Sequence, residues 1–263
     1  MFMTPPNAVV LVFDAGLLGL LTRKADDGEI RYRARKGQSI KDMVESLGVP
    51  HTEVGELVGP GGERVGFGYR PEEGGRVEVR SVVEPFDVMQ DQPLRAALPH
   101  LAFIVDENVA GLAPLLRAMG LDAARDGLNG DATLAERAAA EKRVVLSRDR
   151  GLLKRAAVTH GRLLRTEGTD AQFAEIVRHF GLVPTAEFMR RCLRCNRPTI
   201  PVEKVDILHL LEPKTKKYFN HFRMCGGCGN IYWRGSHYQR LVNRLARAGV
   251  RIPTQEPLTA DEA

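Results

Sequence analysis

Two Cys-x-x-Cys pairs constrain the fold of this chain more than any other feature. They are "CLRC" at 192–195 and "CGGC" at 225–228, they lie 29 residues apart, and the chain has no other cysteine. Four thiolates at this spacing predict a tetrahedral Zn²⁺ site of the ribbon type. Because sulfur would fill all four positions around the metal, we expect the zinc to be structural. Two redox-active dithiols or disulfides are the alternative.

The cysteine region is strongly basic. From Arg190 to Arg251 there are 14 Lys and Arg against 3 Asp and Glu, a net charge of +11, whereas the whole chain carries +5 and the remainder therefore −6. This asymmetry favours a polyanionic partner such as nucleic acid, and a solvated basic face is the alternative. The basic residues predicted to bind substrate here are Arg191, Arg194, Lys216 and Lys217. Nearby aromatic residues either stack on bases or form the core of the ribbon: Tyr218, Phe222, Tyr232 and Trp233.

Residues 101–184 alternate between apolar runs and helical patterns. "LAFIVD" and "VVLS" read as strands buried on both faces, and each is followed by a helix. This alternation predicts an α/β domain with a parallel sheet covered by helices. Ligands of such sheets gather beyond the carboxyl ends of the strands.

Acidic residues occupy that position. Asp106 ends one buried strand, Asp149 follows the next, and Asp131 precedes the intervening helix, which we expect Thr133 and Glu136 to open as a capping box. Converging carboxylates repel one another unless a cation joins them, so the pattern predicts a Mg²⁺ or Mn²⁺ site at these three acids. Turn and helix-cap roles are the alternative.

Three more residues belong to this candidate site. Arg148 and Arg150 flank Asp149 and either balance its charge or bind a substrate phosphate. Asp170 is a weaker candidate, because the helix dipole alone explains an acid in the first turn of a helix. We expect Thr169 and Gln172 to open that helix as a second capping box.

The rest of the chain divides into smaller predicted segments. Residues 1–83 show the strand and helix order of a β-grasp (α+β) domain. Its helix, "SIKDMVESLG", is predicted to be capped by Ser39, with Ile40, Met43, Val44 and Leu47 on one face. The proline-containing stretch 84–100 is a predicted linker. Residues 185–250 form the predicted ribbon and a basic helix, and 251–263 a disordered tail. No signal peptide or membrane span is apparent, so we expect a cytoplasmic protein with no membrane partner.

Several ordered motifs resemble a known family. The Mut-seven C-terminal RNase domain is similar in three segments: "FIVDENVAGLAPLLRAMGLDA", "VVLSRDRGLLKRA", and the region of the two Cys-x-x-Cys pairs, which ends in "CGGCGNIYWRGSH". We call the pairs at 192–195 and 225–228 the first and second knuckle. The resemblance implies a PIN-like three-layer nuclease fold with an appended zinc ribbon, and a metal-dependent ribonuclease. It assigns the catalytic acids to Asp106, Asp131 and Asp149, whereas a fourth acid has no secure match and Asp170 is a weak candidate.

The N-terminal part resembles the ubiquitin-like β-grasp domain fused ahead of this nuclease. It does not end in Gly-Gly, so we expect binding of a protein or ribosome partner rather than sulfur-carrier chemistry. The function predicted for the whole chain is hydrolysis of RNA phosphodiesters at an Asp-bound Mg²⁺ or Mn²⁺, with the ribbon holding RNA. The alternative is a non-catalytic RNA- or ribosome-binding adaptor with a degenerate pocket.

Overall fold

An apolar strand lies inside the N-terminal sheet. β1 (Ala8–Phe13) pairs in parallel with β4 (Arg76–Ser81) and antiparallel with β2 (Glu29–Arg33), and β3 (Val54–Val58) completes the order β2-β1-β4-β3. The short helix α1 (Ala15–Leu18) follows β1. The element order predicted for a β-grasp domain is confirmed.

The helix of this domain begins at the predicted residue. The Ser39 hydroxyl accepts a hydrogen bond from the backbone N–H of Asp42, which caps α2 (Ile40–Ser46). Three apolar side chains of α2 are buried: Ile40, Met43 and Val44. The 3.6-residue period of the sequence therefore identified the buried face correctly.

The computed structural model describes residues 8–23, 25, 27–125 and 130–252. The chain forms two compact units, one of residues 1–108 with 126–165 and one of 109–125 with 166–263. The predicted domain boundaries stay predictions. All but two residues of the predicted tail, 251–263, lie outside the described part of the chain.

The first unit also contains the parallel strands that were predicted from buried apolar runs. β5 (Ala102–Val105) pairs with β7 (Val144–Ser147), and β7 pairs with β8 (Gly161–Leu163). Every residue of β5 and β7 is buried. Helices α4 (Asp131–Ala140) and α5 (Arg150–Leu153) accompany these strands, so the α/β prediction is confirmed.

The predicted capping box of α4 is wrong. Gly130, with φ +85°, takes the cap position, and no side chain caps the helix, so Asp131 is its first residue and Thr133 lies within the first turn. A second box, predicted at Thr169 with Gln172, is wrong for the same reason, because Gly168 with φ +79° precedes the helix. Glycine reaches this conformation without strain, which lets the helix start earlier than a threonine cap would.

The predicted linker 84–100, all of which is described, contains no helix or strand. It is nevertheless packed, since Phe86, Val88 and Leu98 are buried. The buried Arg95 donates to the backbone carbonyls of three residues of the N-terminal domain: His51, Thr52 and Val54. Burial lowers the pKa of the Arg95 guanidinium to about 10, which leaves it charged at neutral pH.

The second unit contains part of the α/β region and the whole cysteine region. The part of the α/β region consists of α3 (Leu112–Ala118), β6 (Asp122–Arg125) and α6 (Thr169–Phe180). The cysteine region has an antiparallel sheet in the order β11-β10-β9, from β9 (Thr199–Val202), β10 (Phe222–Cys225) and β11 (Ile231–Tyr232). Its helices are α7 (Lys204–Ile207), α8 (Pro213–Tyr218) and the predicted basic helix α9 (Ser236–Arg247).

Candidate functional site

The four cysteines converge on one point. Their sulfurs all lie within 4.8 Å of one another, with 3.6 Å between the Sγ atoms of Cys192 and Cys228 and 3.3 Å between those of Cys195 and Cys225. Tetrahedral Zn²⁺ with Zn–S bonds of 2.3 Å places its sulfurs about 3.8 Å apart. None of the cysteines forms a disulfide, so the donor set fits a structural zinc ion.

The two knuckles share one backbone arrangement. Asn196 and Gly229 each follow the second cysteine of a pair, with φ of +72° and +70°. The N–H of Asn196 donates to the carbonyl of Cys192, and that of Gly229 to the carbonyl of Cys225. This reversal turns both sulfurs of each pair to the same side, which is what a shared metal requires.

A tyrosine adjoins the site and influences its chemistry. The Tyr232 hydroxyl accepts the Leu193 N–H at 3.0 Å and lies 3.2 Å from the Cys192 sulfur, to which it donates. Burial opposes ionisation of Cys192. Hydrogen bonds from Tyr232 and from the backbone of Cys195 and Arg194 outweigh it, so the pKa of the Cys192 thiol falls to about 6. The surroundings of Cys192 therefore favour the thiolate that zinc binds.

The first knuckle is fastened to the α3–β6 segment. The buried Arg117 of α3 donates to the carbonyls of Leu193 and Arg194 at 2.8 and 3.0 Å, and to Ala123 of β6 at 2.9 Å. The Asn196 side chain adds two bonds to β6, donating to the Asp122 carboxylate at 2.7 Å and accepting the Ala123 N–H at 3.1 Å. Within the second unit, the first knuckle is thus bonded directly to α3 and β6.

The aromatic residues divide between the two roles that the sequence left open. Phe222 is buried with Ile207 and Leu211, and partly buried residues pack on them, Phe219 and Trp233 among them. Trp233 therefore belongs to the ribbon's core. Tyr218 is 66% exposed, with the Lys217 ammonium 5.3 Å from its ring centre, and remains available to stack on a base.

The predicted substrate-binding cations of the ribbon also divide. Arg194 and Lys217 are exposed, and Lys216 is half-buried on α8. The Arg191 guanidinium instead donates to the carbonyls of Gly120 and Asn196, at 3.4 and 2.7 Å. Those bonds hold Arg191 against the first knuckle, and its predicted contact with substrate stays a prediction.

Asp106 lies at the carboxyl end of β5, as predicted, and is held by three donors. Its Oδ1 accepts the Glu107 N–H at 2.6 Å, and its Oδ2 accepts from the Asn108 amide and the Ser147 hydroxyl, each at 2.6 Å. Ser147 ends the paired strand β7 and is fully buried. These three bonds fix the orientation of the Asp106 carboxylate.

Asp149 follows β7 and is linked to Asp106 through Ser147, whose Oγ accepts the Asp149 N–H at 2.8 Å. The Asp149 carboxylate also caps α5, since its Oδ1 accepts from the N–H groups of Gly151 and Leu152, at 2.6 and 3.4 Å. The side chain is exposed, so its other oxygen is open to a ligand. Cap and ligand roles, weighed as alternatives from the sequence, are compatible here.

The other two candidate acids occupy first turns of helices. Asp131 begins α4 and is half-buried. Asp170, on α6, is 65% exposed at its side chain and forms an ion pair with Arg244 of α9. Among the described residues, only the four cysteines form a group of three or more potential ligands this close together. Metal binding by Asp106, Asp131 and Asp149 therefore stays a prediction.

The two arginines beside Asp149 point to different partners. The Arg148 N–H donates to the Asn108 side chain at 3.2 Å, and the residue is exposed. The Arg150 guanidinium donates to the carbonyl of Leu20 in the N-terminal domain at 2.7 Å. The sequence interpretation missed both this contact and the residues Ser147 and Asn108. The only sequence signal for Ser147 and Asn108 was that both are polar residues close to strand-end acids.

Two family models match the chain. The model described as "Mut7-C RNAse domain" covers residues 101–245, more than half of the chain, and "Mut7-C ubiquitin" covers 7–87. No curated protein and no solved structure is significantly similar to it. In the described part of the chain, no helix combines the length and apolar character needed to cross a bilayer. The matched models and the cysteine geometry agree, and the chain belongs to the Mut7-C RNAse domain family, with a Mut7-C ubiquitin domain ahead of it.

Proposed function

We propose that the chain is a ribonuclease that uses Mg²⁺ or Mn²⁺ to hydrolyse RNA phosphodiesters. The observation that carries this proposal is the hydrogen-bonded series Asp106–Ser147–Asp149 across the carboxyl ends of β5 and β7. Two carboxylates at neighbouring parallel strand ends occupy the usual ligand position of an α/β sheet. The family match gives this position a reaction class.

Each residue of the series has a separate role. Asp106 and Asp149 offer carboxylate oxygens to the cation, and Asp131 is the third proposed ligand. Mg²⁺ commonly takes one or two protein carboxylates and completes its shell with water and phosphate oxygens, so a preformed triad is not needed. When bound, the ion supplies charge stabilisation and a more acidic water. Ser147 and Asn108 fix the direction of the Asp106 oxygens.

RNA would be held by the basic ribbon. Arg194 and Lys217 are exposed there, Lys216 is partly so, and Tyr218 offers an exposed ring. Phosphate contacts by such cations release counterions, so we expect RNA affinity to fall steeply as the salt concentration rises. Arg148, exposed beside Asp149, is the cation best placed to contact the phosphate under attack.

The test is RNA cleavage by the purified full-length protein with Mn²⁺, on single-stranded and duplex RNAs labelled at either end. Asp149→Asn removes the charge but keeps a good helix cap. Loss of an outer-shell partner of a metal ligand lowers activity by up to about 100-fold. Because Asp149 is proposed to bind the cation directly, we expect Asp149→Asn to reduce cleavage by at least that factor. Asp206→Asn, at an exposed acid of α7, is the matched control and should cleave normally.

The non-catalytic adaptor is the competing function, and the same assay decides between the two. The separation of the candidate acids, which do not form a tight group, favours it. RNA binding without cleavage in Mg²⁺ or Mn²⁺ would establish the adaptor over the nuclease. Equal cleavage by wild type and Asp149→Asn would instead refute the assignment of Asp149 to the catalytic site.

A further inference from the structure

The ubiquitin-like domain holds the helix that follows Asp149. Two basic side chains that follow Asp149 donate hydrogen bonds to backbone carbonyls of the ubiquitin-like domain. Arg150 Nη1 donates to Leu20 at 2.7 Å and to Gly48 at 3.4 Å, and Lys154 Nζ donates to Glu45 at 2.5 Å. Charged donors make stronger hydrogen bonds than neutral ones, so these anchors are firm.

Glycine at position 48 gives this contact room without strain. Its φ of +102° is a conformation that side chains disfavour. A Cβ there would lie 2.7 Å from the Leu20 carbonyl oxygen and 3.2 Å from Arg150 Nη1. The turn that ends α2 is therefore shaped to admit the arginine.

A second set of contacts fixes the same domain along β8. Glu53 is 3% exposed, and its carboxylate accepts the backbone N–H of Leu163 and the guanidinium of Arg162, both at 2.8 Å. The His51 ring bonds the Val158 carbonyl at 2.7 Å. A buried charge with this many partners is costly to separate, so the ubiquitin-like domain is docked rather than tethered.

The helix α5 depends on such anchors. It has one turn, Arg150–Leu153, and a single turn contributes little stability of its own. The Asp149 carboxylate takes its direction from the first N–H groups of this helix. A shift of α5 therefore moves the Asp149 oxygens.

We propose that the ubiquitin-like domain is a structural part of the nuclease site and that Arg150 is the positioning residue through which it acts. Arg150 does not touch substrate; by holding the first turn of α5 it fixes the Asp149 carboxylate. This inference rests on the proposed function. In this proposal the ubiquitin-like domain acts on the nuclease site of its own chain and does not serve to recruit a separate partner.

The experiment compares full-length Arg150→Ala, Arg150→Lys and Gly48→Ala with wild type. The control is Arg155→Ala, at an exposed arginine of the same segment. Each protein is measured for kcat and KM on one RNA, and for amide hydrogen exchange over residues 147–154. Gly48→Ala disturbs the contact from the ubiquitin-like side and leaves the nuclease residues unchanged.

We expect Arg150→Ala and Gly48→Ala to lower kcat roughly 10- to 100-fold, as small displacements of catalytic groups do, with KM within about 2-fold of wild type. Exchange over 147–154 should rise in both. Arg150→Lys should recover most of kcat, because an ammonium can still donate to the Leu20 carbonyl, and Arg155→Ala should match wild type.

Three outcomes would overturn the proposal. They are unchanged exchange in Arg150→Ala, an equal loss in Arg155→Ala, and a rise in KM alone, which would make Arg150 a substrate-binding residue. A wild-type protein that cleaves no RNA would refute the ribonuclease. Exchange over 147–154 would then still decide whether Arg150 holds α5.

Discussion

Ser147 donates its hydroxyl hydrogen to Asp106 over 2.6 Å and accepts the Asp149 N–H at the same oxygen over 2.8 Å. One buried hydroxyl thus joins the two acids proposed to bind the catalytic cation. We predict that Ser147→Ala lowers cleavage about 10- to 100-fold, as loss of an outer-shell partner does, and costs about 1 kcal/mol of stability. Cleavage rates across a Mn²⁺ titration and urea unfolding measure the two effects. Ser236→Ala, at an exposed serine, is the control, and equal rates for both variants would contradict the prediction.

Asp170 should matter little for catalysis. Its exposed carboxylate is paired with Arg244, and exposed ion pairs contribute about 0–1 kcal/mol. We predict that Asp170→Asn changes the cleavage rate less than about 3-fold and the free energy of unfolding by less than about 1 kcal/mol. Parallel assays of Asp170→Asn and Asp149→Asn measure the contrast. A loss in Asp170→Asn as large as in Asp149→Asn would instead make Asp170 the fourth catalytic acid.

Zinc should stabilise β6 as well as the ribbon, because Asn196 bonds Asp122 and Ala123. Asn196→Gly keeps the left-handed turn and removes only the side chain. We predict that it costs about 1–3 kcal/mol for two hydrogen bonds, and that it raises amide exchange over residues 122–125. Chelation of zinc from the wild type should raise exchange in the same residues, and elemental analysis should find about one zinc per chain.

This prediction is decided by comparing amide exchange in two regions of the wild-type protein before and after zinc chelation. If chelation raises exchange over 192–230 and leaves 122–125 unchanged, the knuckle does not support β6. Asn243→Gly, at an exposed asparagine of α9, controls for a general loss of stability.

His160 makes stability depend on pH. Burial, with the nearby Arg95 charge, lowers its pKa from 6.5 to about 4, so the folded protein keeps the ring neutral. Between pH 6.5 and 4 the unfolded chain binds a proton that the folded chain does not, and stability therefore falls as the pH falls through this window. We expect this histidine to account for about 2 kcal/mol of the loss between pH 7 and pH 5. Urea unfolding of wild type and His160→Gln at both pH values measures it, and parallel losses would contradict the assignment.

Local patterns in the sequence predicted the local structure. Ser39 begins α2 as expected, the uniformly buried runs form β5 and β7, and the four cysteines converge. Each of these depends on near neighbours or on a spacing that a metal fixes. The helix starts at Gly130 and Gly168 were missed because a glycine in the left-handed region removes the need for the side-chain cap that the pattern suggested.

Long-range partners could not be predicted in this way. Arg150 bonds a carbonyl 130 residues earlier in the chain, and Glu53 bonds an amide 110 residues later. Nothing in the surrounding residues identifies such a partner, because docking of two domains determines it. The position of Trp233 in the ribbon's core was open for the same reason, since an aromatic beside cations has the same sequence context in a core as on an RNA surface.

The Glu53–Leu163 bond also has a consequence for biosynthesis. The carboxylate is made 110 residues before the amide that it binds. At about 5–20 residues per second, it waits roughly 5–20 s for that amide to be translated. This interval is long enough for the ubiquitin-like domain to fold and to hold Glu53 in position before Leu163 is synthesised. The order of translation therefore lets the first domain act as an intramolecular chaperone for the last strand of the parallel set, β8.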